Sequence, residues 1–156
     1  MLKIKLIVVD RTRSPFLKEG ESFYLDRLRR YAHTEWVEVK PAAIKRGRPP
    51  EEILGAEGDS VAKRFGARDY IIALDRAGKA YDSMGLAQRI DRLSLGHPCI
   101  AFAIGGPMGF SKEFLDRADE TFSLSRLTLT HEMSRLLLLE QIYRAFTILR
   151  GEKYHK

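Results

Sequence analysis

The feature that most constrains the fold is an apolar run at residues 99–104 that ends in a cluster of glycines. The run reads Cys99-Ile100-Ala101-Phe102-Ala103-Ile104. A short run without a polar position is typical of a strand buried on both faces, which occurs mainly in parallel sheets covered by helices. Three glycines follow within residues 105–109, where they allow another backbone segment or a ligand to approach closely. We therefore expect an α/β sheet with a backbone-lined site at the end of this strand.

Strand and helix patterns alternate along the whole chain. Strands are predicted at residues 3–9, 36–39, 70–74, 99–104 and 121–124. Helices are predicted from Pro15 onward and at residues 51–65, 83–93, 112–118 and 132–150, with Ser14, Ser83 and Ser111 as N-caps. Residues 40–50 are expected to form a loop and residues 75–79 a turn. The alternation predicts an α/β fold, a mostly parallel sheet with helices on both faces, in one domain over residues 1–156.

Composition excludes several classes of protein. With 44% hydrophobic and 31% charged residues, the chain has the balance of a soluble globular protein, and no apolar run approaches the length of a membrane span. The N-terminus alternates charged and apolar residues, which indicates a strand and not a signal peptide. The single cysteine, Cys99, excludes an internal disulfide and fits a cytoplasmic protein. The net charge of +6 favours an anionic partner such as nucleic acid.

Several familiar sites are absent from the sequence. The glycines at 105, 106 and 109 resemble a dinucleotide fingerprint, but that motif normally follows the first strand, and the first strand-to-helix turn here has no glycine. There is no phosphate-binding Gly-Lys-Ser/Thr motif and no Gly-x-Ser-x-Gly elbow. The four histidines, His33, His97, His131 and His155, lack metal-ligand spacing. We therefore expect a site built mainly from backbone groups, without a metal.

A second loop, residues 122–130, supplies the other wall of the expected pocket. It interleaves serine and threonine with leucine and leads into the last helix at His131. Its N–H and C=O groups, together with those of the glycine loop, are suited to read an adenine and to hold a sulfonium-bearing ligand. His131 is either a functional group of this pocket or an ordinary residue of the first helical turn.

Each polar residue outside the two loops that is a candidate for function can also be explained by an ordinary structural role. Lys45, Arg46 and Arg48 surround a glycine and either clamp phosphates or keep a surface loop solvated. Glu140 and Arg144 are one helical turn apart, so an ordinary intrahelical pair is the default. The tail, residues 152–156, is too polar to pack and is expected to fray, yet Tyr154, His155 and Lys156 offer a stacking ring, a titratable base and a phosphate partner for RNA.

The last helix has almost no polar face. Its apolar positions are Met133, Leu136, Leu137, Leu138, Leu139, Ile142, Tyr143, Ala145, Phe146, Ile148 and Leu149. A helix that is apolar nearly all round must be covered on nearly all sides, and in so small a chain a second copy is the natural cover. We therefore expect a homodimer.

Four ordered motifs resemble one known family, that of the ribosomal RNA large subunit methyltransferase H, which are small SPOUT-class methyltransferases. The motifs are Gly105-Gly106-Pro107-x-Gly109, Leu124-Ser125-x-Leu127-Thr128-Leu129-x-His131, Glu140-Gln141-x-Tyr143-Arg144-Ala145 and Tyr154-His155-Lys156. The likeness extends to Leu74-Asp75, Gly78-Lys79 and Lys45-Arg46-Gly47, and so covers essentially the whole chain. The chain departs from the family pattern at Asp10, where glycine is common, and at Thr130, where proline is common.

The resemblance implies a fold, a reaction and a set of site residues. It implies a C-terminal trefoil knot, a homodimer, and S-adenosylmethionine as the donor of a methyl group to N3 of a pseudouridine in 23S rRNA, on the assembled ribosome. The implied donor-binding residues are Leu74, Gly105, Gly106, Leu124, Ser125, Arg126, Leu127, Thr128 and Leu129. Lys45, Arg46, Arg48 and Lys156 are the candidates for contacts with RNA phosphates.

The hypothesis for catalysis follows from the acceptor's chemistry. N3 must lose a proton, and His155 or His131 is the candidate to take it, while Arg144 stabilises the anion and Tyr154 stacks on the base. The tail is expected to become ordered with RNA, against the partner subunit's donor site. The competing hypothesis is an RNA-binding module without enzymatic activity, which would bind no methyl donor. A nucleotide-binding hydrolase is disfavoured because acidic and metal-ligating residues lack a usable spacing.

Overall fold

The computed structural model describes residues 1–156, in which strands and helices alternate throughout. The strands are β1 (Lys3–Val9), β2 (His33–Val39), β3 (Asp69–Ala80), β4 (Cys99–Ile104) and β5 (Glu120–Ser123). The helices are α1 (Pro15–Leu28), α2 (Pro50–Ala62), α3 (Ser83–Gly96), α4 (Lys112–Arg117) and α5 (His131–Leu149). None of these helices is both long enough and apolar enough to pass through a membrane.

All five strands form one parallel sheet in the order β2-β1-β4-β3-β5. Strand β4 lies at its centre, and all six of its residues are buried. Phe102 is paired with Leu6 of β1 on one side and with Ile72 of β3 on the other. The prediction of a central strand buried on both faces is confirmed.

Helices cover both faces of the sheet. Helices α1, α3 and α5 enclose the larger core with residues such as Leu6, Ile90 and Leu138. Helices α2 and α4 enclose a smaller core on the opposite face, where Ile7 of β1 meets Phe114. The predicted α/β architecture is therefore confirmed, and the larger core holds α5 against the centre of the sheet.

The predicted turn at residues 75–79 is an irregularity inside β3, because Leu74 and Lys79 both pair with Phe122 of β5 and residues 75–78 have no partner there. The pairing is irregular between Leu74 and Lys79 and resumes where Lys79 faces Phe122. Gly78 permits this close approach: a Cβ on Gly78 would lie 2.7 Å from the backbone nitrogen of Phe122. The irregularity leaves Asp75 and its neighbours beside the end of β4.

Two of the three predicted N-caps, Ser14 and Ser111, occupy the N-cap position, and only Ser111 makes a capping hydrogen bond through its side chain. The Ser111 hydroxyl accepts a hydrogen bond from Phe114 N, as expected. Helix α3 is instead capped by Asp82, since a carboxylate one residue earlier takes the amide of Gly85 and leaves Ser83 as the first helical residue. Ser14 precedes α1 but makes no capping bond through its side chain.

Candidate functional site

A cavity of about 340 Å³ lies beside the irregularity of β3 and the carboxyl ends of β4 and β5. Ligands of open parallel sheets bind at such carboxyl ends. Eight of the nine predicted donor-binding residues line it, namely Leu74, Gly105, Gly106, Leu124, Ser125, Leu127, Thr128 and Leu129. The ninth, Arg126, is exposed and lies outside the lining, whereas His131 and Asp75 belong to it.

The glycine loop forms one wall of this cavity from backbone alone. A Cβ on Gly105 would lie 2.7 Å from the carbonyl oxygen of Gly109, so no side chain fits there. The loop is closed by a hydrogen bond from Gly109 N to Gly106 O of 2.9 Å, and Gly109 has a φ of +70°, which favours glycine. A Cβ on Gly106, in contrast, would make ordinary contacts of 3.5 Å and longer.

Hydroxyl groups hold the opposite wall in shape. The Ser125 hydroxyl accepts from Leu127 N at 2.9 Å, and the Ser123 hydroxyl donates to Ser125 O at 3.0 Å. Arg76 of β3 donates to the Thr128 hydroxyl at 2.6 Å and so ties this loop to β3. The serine and threonine hydroxyls that mark this loop in the sequence are therefore the groups that hold its conformation.

His131 is half-buried at the first turn of α5 and faces the cavity. Burial lowers the pKa of its imidazole, and the positive charge of Arg135 lowers it further, against the opposing charges of Glu132 and Asp10. Both effects favour the neutral form of the ring, in which one nitrogen is a hydrogen-bond acceptor and the other a donor.

A buried polar network supports this end of α5. Arg135 is fully buried and donates to Val9 O at 2.5 Å and to the Thr12 hydroxyl at 2.9 Å. The same hydroxyl donates to buried Glu21 at 2.7 Å. Sequence reasoning missed the network, although Arg135 directly precedes four consecutive leucines of α5, which was a signal that it needed a buried partner. The network fixes the start of α5, and with it His131, to the end of β1.

A second cluster gathers three predicted catalytic residues at the other end of α5. Arg144 forms the predicted intrahelical ion pair with Glu140. Its Nη1 also lies 3.3 Å from His155 Nδ1. The Tyr154 hydroxyl donates to the same Glu140 carboxylate at 3.0 Å, and the Arg144 guanidinium lies 4.8 Å from the centre of the Tyr154 ring. Burial, Tyr24 and Glu140 raise the pKa of Tyr154, so its phenol stays protonated.

The prediction that the tail is too polar to pack is wrong for two of its residues. Tyr31 donates to Glu152 at 2.7 Å, and the ring of Tyr154 meets Tyr143 edge-on with centroids 4.8 Å apart. His155 and Lys156 are exposed beyond this packed base. The tail therefore presents its last two side chains from a fixed point near the end of α5.

The cavity and the tail cluster lie far apart within one chain. His131 and Arg144 are separated by 13 positions of the same helix, which at 1.5 Å per residue is about 20 Å. Lys45 and Arg46 are exposed and do not line the cavity. Arg48 is partly committed within its own loop, donating to Ala43 O at 3.0 Å and lying 3.5 Å from Glu52.

The chemistry available at the site is that of backbone groups, hydroxyls and one neutral imidazole. No group of three or more His, Cys, Asp or Glu side chains is placed to hold a metal ion. Asp75 places a carboxylate in the cavity lining, which suits a ligand that carries positive charge. Such a cavity is suited to binding a small molecule, and His131 is the imidazole in its lining.

Comparison with known proteins identifies the family. A family model described as "Predicted SPOUT methyltransferase" matches residues 2–155. A ribosomal RNA large subunit methyltransferase H from Anaeromyxobacter sp. (strain Fw109-5) is 41% identical over 99% of this chain and 100% of its own length. One from Desulfitobacterium hafniense (strain DSM 10664 / DCB-2) is 41% identical over 100% of both chains. The chain belongs to the ribosomal RNA large subunit methyltransferase H family. The resemblance of its motifs to this SPOUT family is thus confirmed.

Solved structures of a methylase family protein and of a tRNA methyltransferase share the fold of this chain. A probable methylase family protein from Haemophilus influenzae Rd KW20 has a TM-score of 0.56 at 13% identity, over 98% of this chain and 70% of that one. The tRNA (m1G37) methyltransferase from Aquifex aeolicus has a TM-score of 0.54 at 15% identity, over 90% of this chain and 69% of that one. At such identities the likeness concerns the fold alone.

The structure accommodates both departures from the pattern of the methyltransferase H family. Asp10 has a φ of 70° and is the only non-glycine residue with a positive φ, which explains why glycine suits this position. Its carboxylate accepts from Arg11 N at 2.8 Å and from Arg13 at 3.0 Å. Thr130 caps α5 by accepting from Met133 N at 3.1 Å. The helix that carries His131 therefore begins normally without the proline.

Proposed function

We propose that this chain transfers the methyl group of S-adenosylmethionine to N3 of a pseudouridine in the 23S rRNA of assembled ribosomes. The observation that carries the proposal is the cavity, which joins the two loops of the family motifs into one site. The relatives named as large subunit methyltransferases match over their full length, so no additional domain is needed to explain their likeness. Residues 1–156 would act as one cytoplasmic domain, with the C-terminal trefoil knot that the family resemblance implies.

The cavity has the size and lining that the donor needs. About 340 Å³ lies within the usual range for small-molecule sites. The glycine loop offers its backbone groups without obstruction at Gly105, Leu124 and Leu129 give the opposite wall an apolar surface, and Asp75 in the lining suits a cationic sulfonium. When bound, S-adenosylmethionine supplies a methyl group that is already activated. The protein then has to orient the acceptor and help N3 lose its proton.

The tail cluster has the groups for that second task. Because Arg144 can only donate, its contact of 3.3 Å requires His155 Nδ1 to accept, which leaves the proton of a neutral ring on Nε2. In this arrangement His155 donates to the acceptor base or its phosphate, and it can take a proton only after Arg144 turns away. The guanidinium of Arg144 is in either case placed to stabilise the N3 anion, beside the stacking ring of Tyr154.

A homodimer would bring the two halves of the site together. Within one chain the cavity and the tail cluster are about 20 Å apart along α5. Phe16 and Phe23 of α1 and Leu137 and Leu149 of α5 are large apolar side chains that remain exposed. Covering them with a second copy would allow the tail of one subunit to reach the cavity of its partner. A mass of one chain by light scattering at micromolar concentration would contradict this part of the proposal.

The decisive experiment is transfer of labelled methyl from S-adenosylmethionine to intact ribosomes. Ribosomes that lack the large-subunit pseudouridines serve as the matched control. Transfer only to the pseudouridine-containing ribosomes is expected. Transfer to both would keep the methyltransferase and overturn the acceptor, whereas RNA binding without any donor binding would favour the non-enzymatic RNA-binding module.

A further inference from the structure

Glu57 is a buried carboxylate that the proposed chemistry does not use. It lies in the middle of α2, and only 6% of its surface is exposed. No cationic side chain pairs with it; its hydrogen bond comes from the backbone amide of Ala42, at 3.1 Å. Burying an ionisable group without a counter-charge is unfavourable, and burial raises the pKa of Glu57 accordingly. Such a group calls for an explanation beyond the packing of α2.

The two oxygens of Glu57 face two different loops. The loop after β2, residues 40–48, is called the basic segment here. Oε2 accepts the hydrogen bond from the backbone amide of Ala42, near the start of this segment. Oε1 lies 3.6 Å from the position that a Cβ on Gly106 would occupy, beside Val9 at the end of β1. Gly106 belongs to the lining of the donor cavity. A single side chain therefore spans the distance between the cavity wall and the basic segment.

The basic segment depends on few contacts for its position. Lys45 and Arg46 are exposed. Arg48 fastens the far end of the segment through Ala43 O and Glu52. The hydrogen bond from Ala42 N to Glu57 fastens the near end, so the position of the Glu57 carboxylate sets the position of the start of the segment.

We propose that Glu57 is a positioning residue that couples the donor cavity to the basic segment, so that occupation of the cavity orders the cations that meet rRNA phosphates. This inference rests on the proposed function. It explains why the buried carboxylate of Glu57 lies on α2. It also makes RNA binding by residues 40–48 depend on whether S-adenosylmethionine occupies the cavity. The two loops lie on opposite sides of one carboxylate, which makes the coupling direct.

Hydrogen–deuterium exchange of the full-length protein tests the coupling, with and without saturating S-adenosylmethionine. In the wild type, we expect slower exchange both in residues 105–109 and in residues 40–48. In Glu57→Ala, the donor should protect residues 105–109 only. Glu57→Gln keeps an acceptor oxygen for Ala42 and should restore at least part of the protection. Glu51→Ala removes an exposed carboxylate from the same helix and should behave like the wild type.

A kinetic measurement separates the coupling from a loss of folding. At saturating donor, Glu57→Ala should raise the KM for ribosomes about fivefold or more, the usual lower range of coupling between sites, while Glu51→Ala should not. Protection of residues 105–109 alone in the wild type would overturn the coupling and leave the proposed function standing, even if Glu57→Ala failed to fold. Absence of donor binding by calorimetry would overturn both.

Discussion

Alanine at Gly105 is the sharpest perturbation of the proposed donor site. Its Cβ would lie 2.7 Å from the Gly109 oxygen and 2.8 Å from the Gly109 carbonyl carbon, both of them backbone atoms. Ordinary contacts are several tenths of an ångström longer, so the loop must open. Opening strains the 2.9 Å hydrogen bond between Gly109 and Gly106 and moves the wall of the cavity. Overpacking of this kind costs about 1–3 kcal/mol.

This energy translates into a measurable loss of donor affinity. If the full strain appears on binding, 1–3 kcal/mol raises the Kd for S-adenosylmethionine by about 5- to 150-fold. Isothermal titration calorimetry with the purified protein measures this directly, and the thermal melting point shows how much of the strain is already present without donor. Methyl transfer to ribosomes should fall in parallel when the donor is below saturation.

Alanine at Gly106 is the matched control. The added Cβ would contact Val9 at 3.5 Å and Glu57 at 3.6 Å, which are ordinary distances, and Gly106 does not have a positive φ. Gly106 also lines the cavity, so its Kd can rise, but we expect a clearly smaller rise than in Gly105→Ala because the added Cβ makes no contact short enough to open the loop. Equal losses in the two variants, or an unchanged Kd in Gly105→Ala, would refute the assignment of this loop as the donor wall.

Three further predictions concern the tail, a buried ion pair and a strained turn. His155→Ala should lower kcat by about 100-fold or more, the typical contribution of a positioned acid–base group, without changing the Kd for the donor; an unchanged kcat in the ribosome assay would remove His155 from the chemistry. Burial alone would raise the pKa of Asp69, but hydrogen bonds from Lys5 and Gly66 outweigh it and lower that pKa. Stability from the ionised Asp69 is therefore present above its unfolded pKa of about 4 and is lost as the pH falls through the lower, folded pKa. Asp69→Asn should cost about 3–5 kcal/mol in urea unfolding at pH 7, and the cost should shrink as the pH falls below the unfolded pKa. Asp10→Ala should destabilise the fold by about 1–2 kcal/mol while Asp10→Gly changes it little, because the φ of 70° strains alanine; equal denaturation midpoints for the two variants would contradict this.

The sequence predicted the strands whose signal is local. Strand β4 is a run of apolar residues, β1 alternates lysine with apolar residues before an apolar run, and the observed bounds of both agree with the prediction. The continuation of β3 beyond Leu74 was missed because residues 75–79 are polar and turn-like, and the strand resumes only where Lys79 and Ala80 pair with β5. Strand formation depends on such tertiary context more than on intrinsic preference.

In the candidate site, too, features with a local sequence signal were predicted and features that depend on distant contacts were missed. Glycines and hydroxyls mark the two cavity walls in the sequence, because backbone exposure requires those residue types. Arg135 and Glu57 were missed because charged residues in helices are normally solvent-exposed. Their burial arises from partners at Val9 and Ala42 that lie far away in the sequence. The packing of the tail also depends on distant contacts and could not be read from its polar composition.

Helix α5 carries groups of both parts of the candidate site, the cavity at its start and the tail cluster at its end. Its first turn carries His131 at the cavity, and its last turns carry Arg144 and the base of the tail. A rigid helix keeps these groups about 20 Å apart, so one copy cannot apply both to the same nucleotide. A second copy could do so without any new domain, and it would also cover Leu137 and Leu149, which the sheet leaves exposed. The nearly all-apolar sequence of α5 is then explained by two surfaces, one for the core and one for the partner.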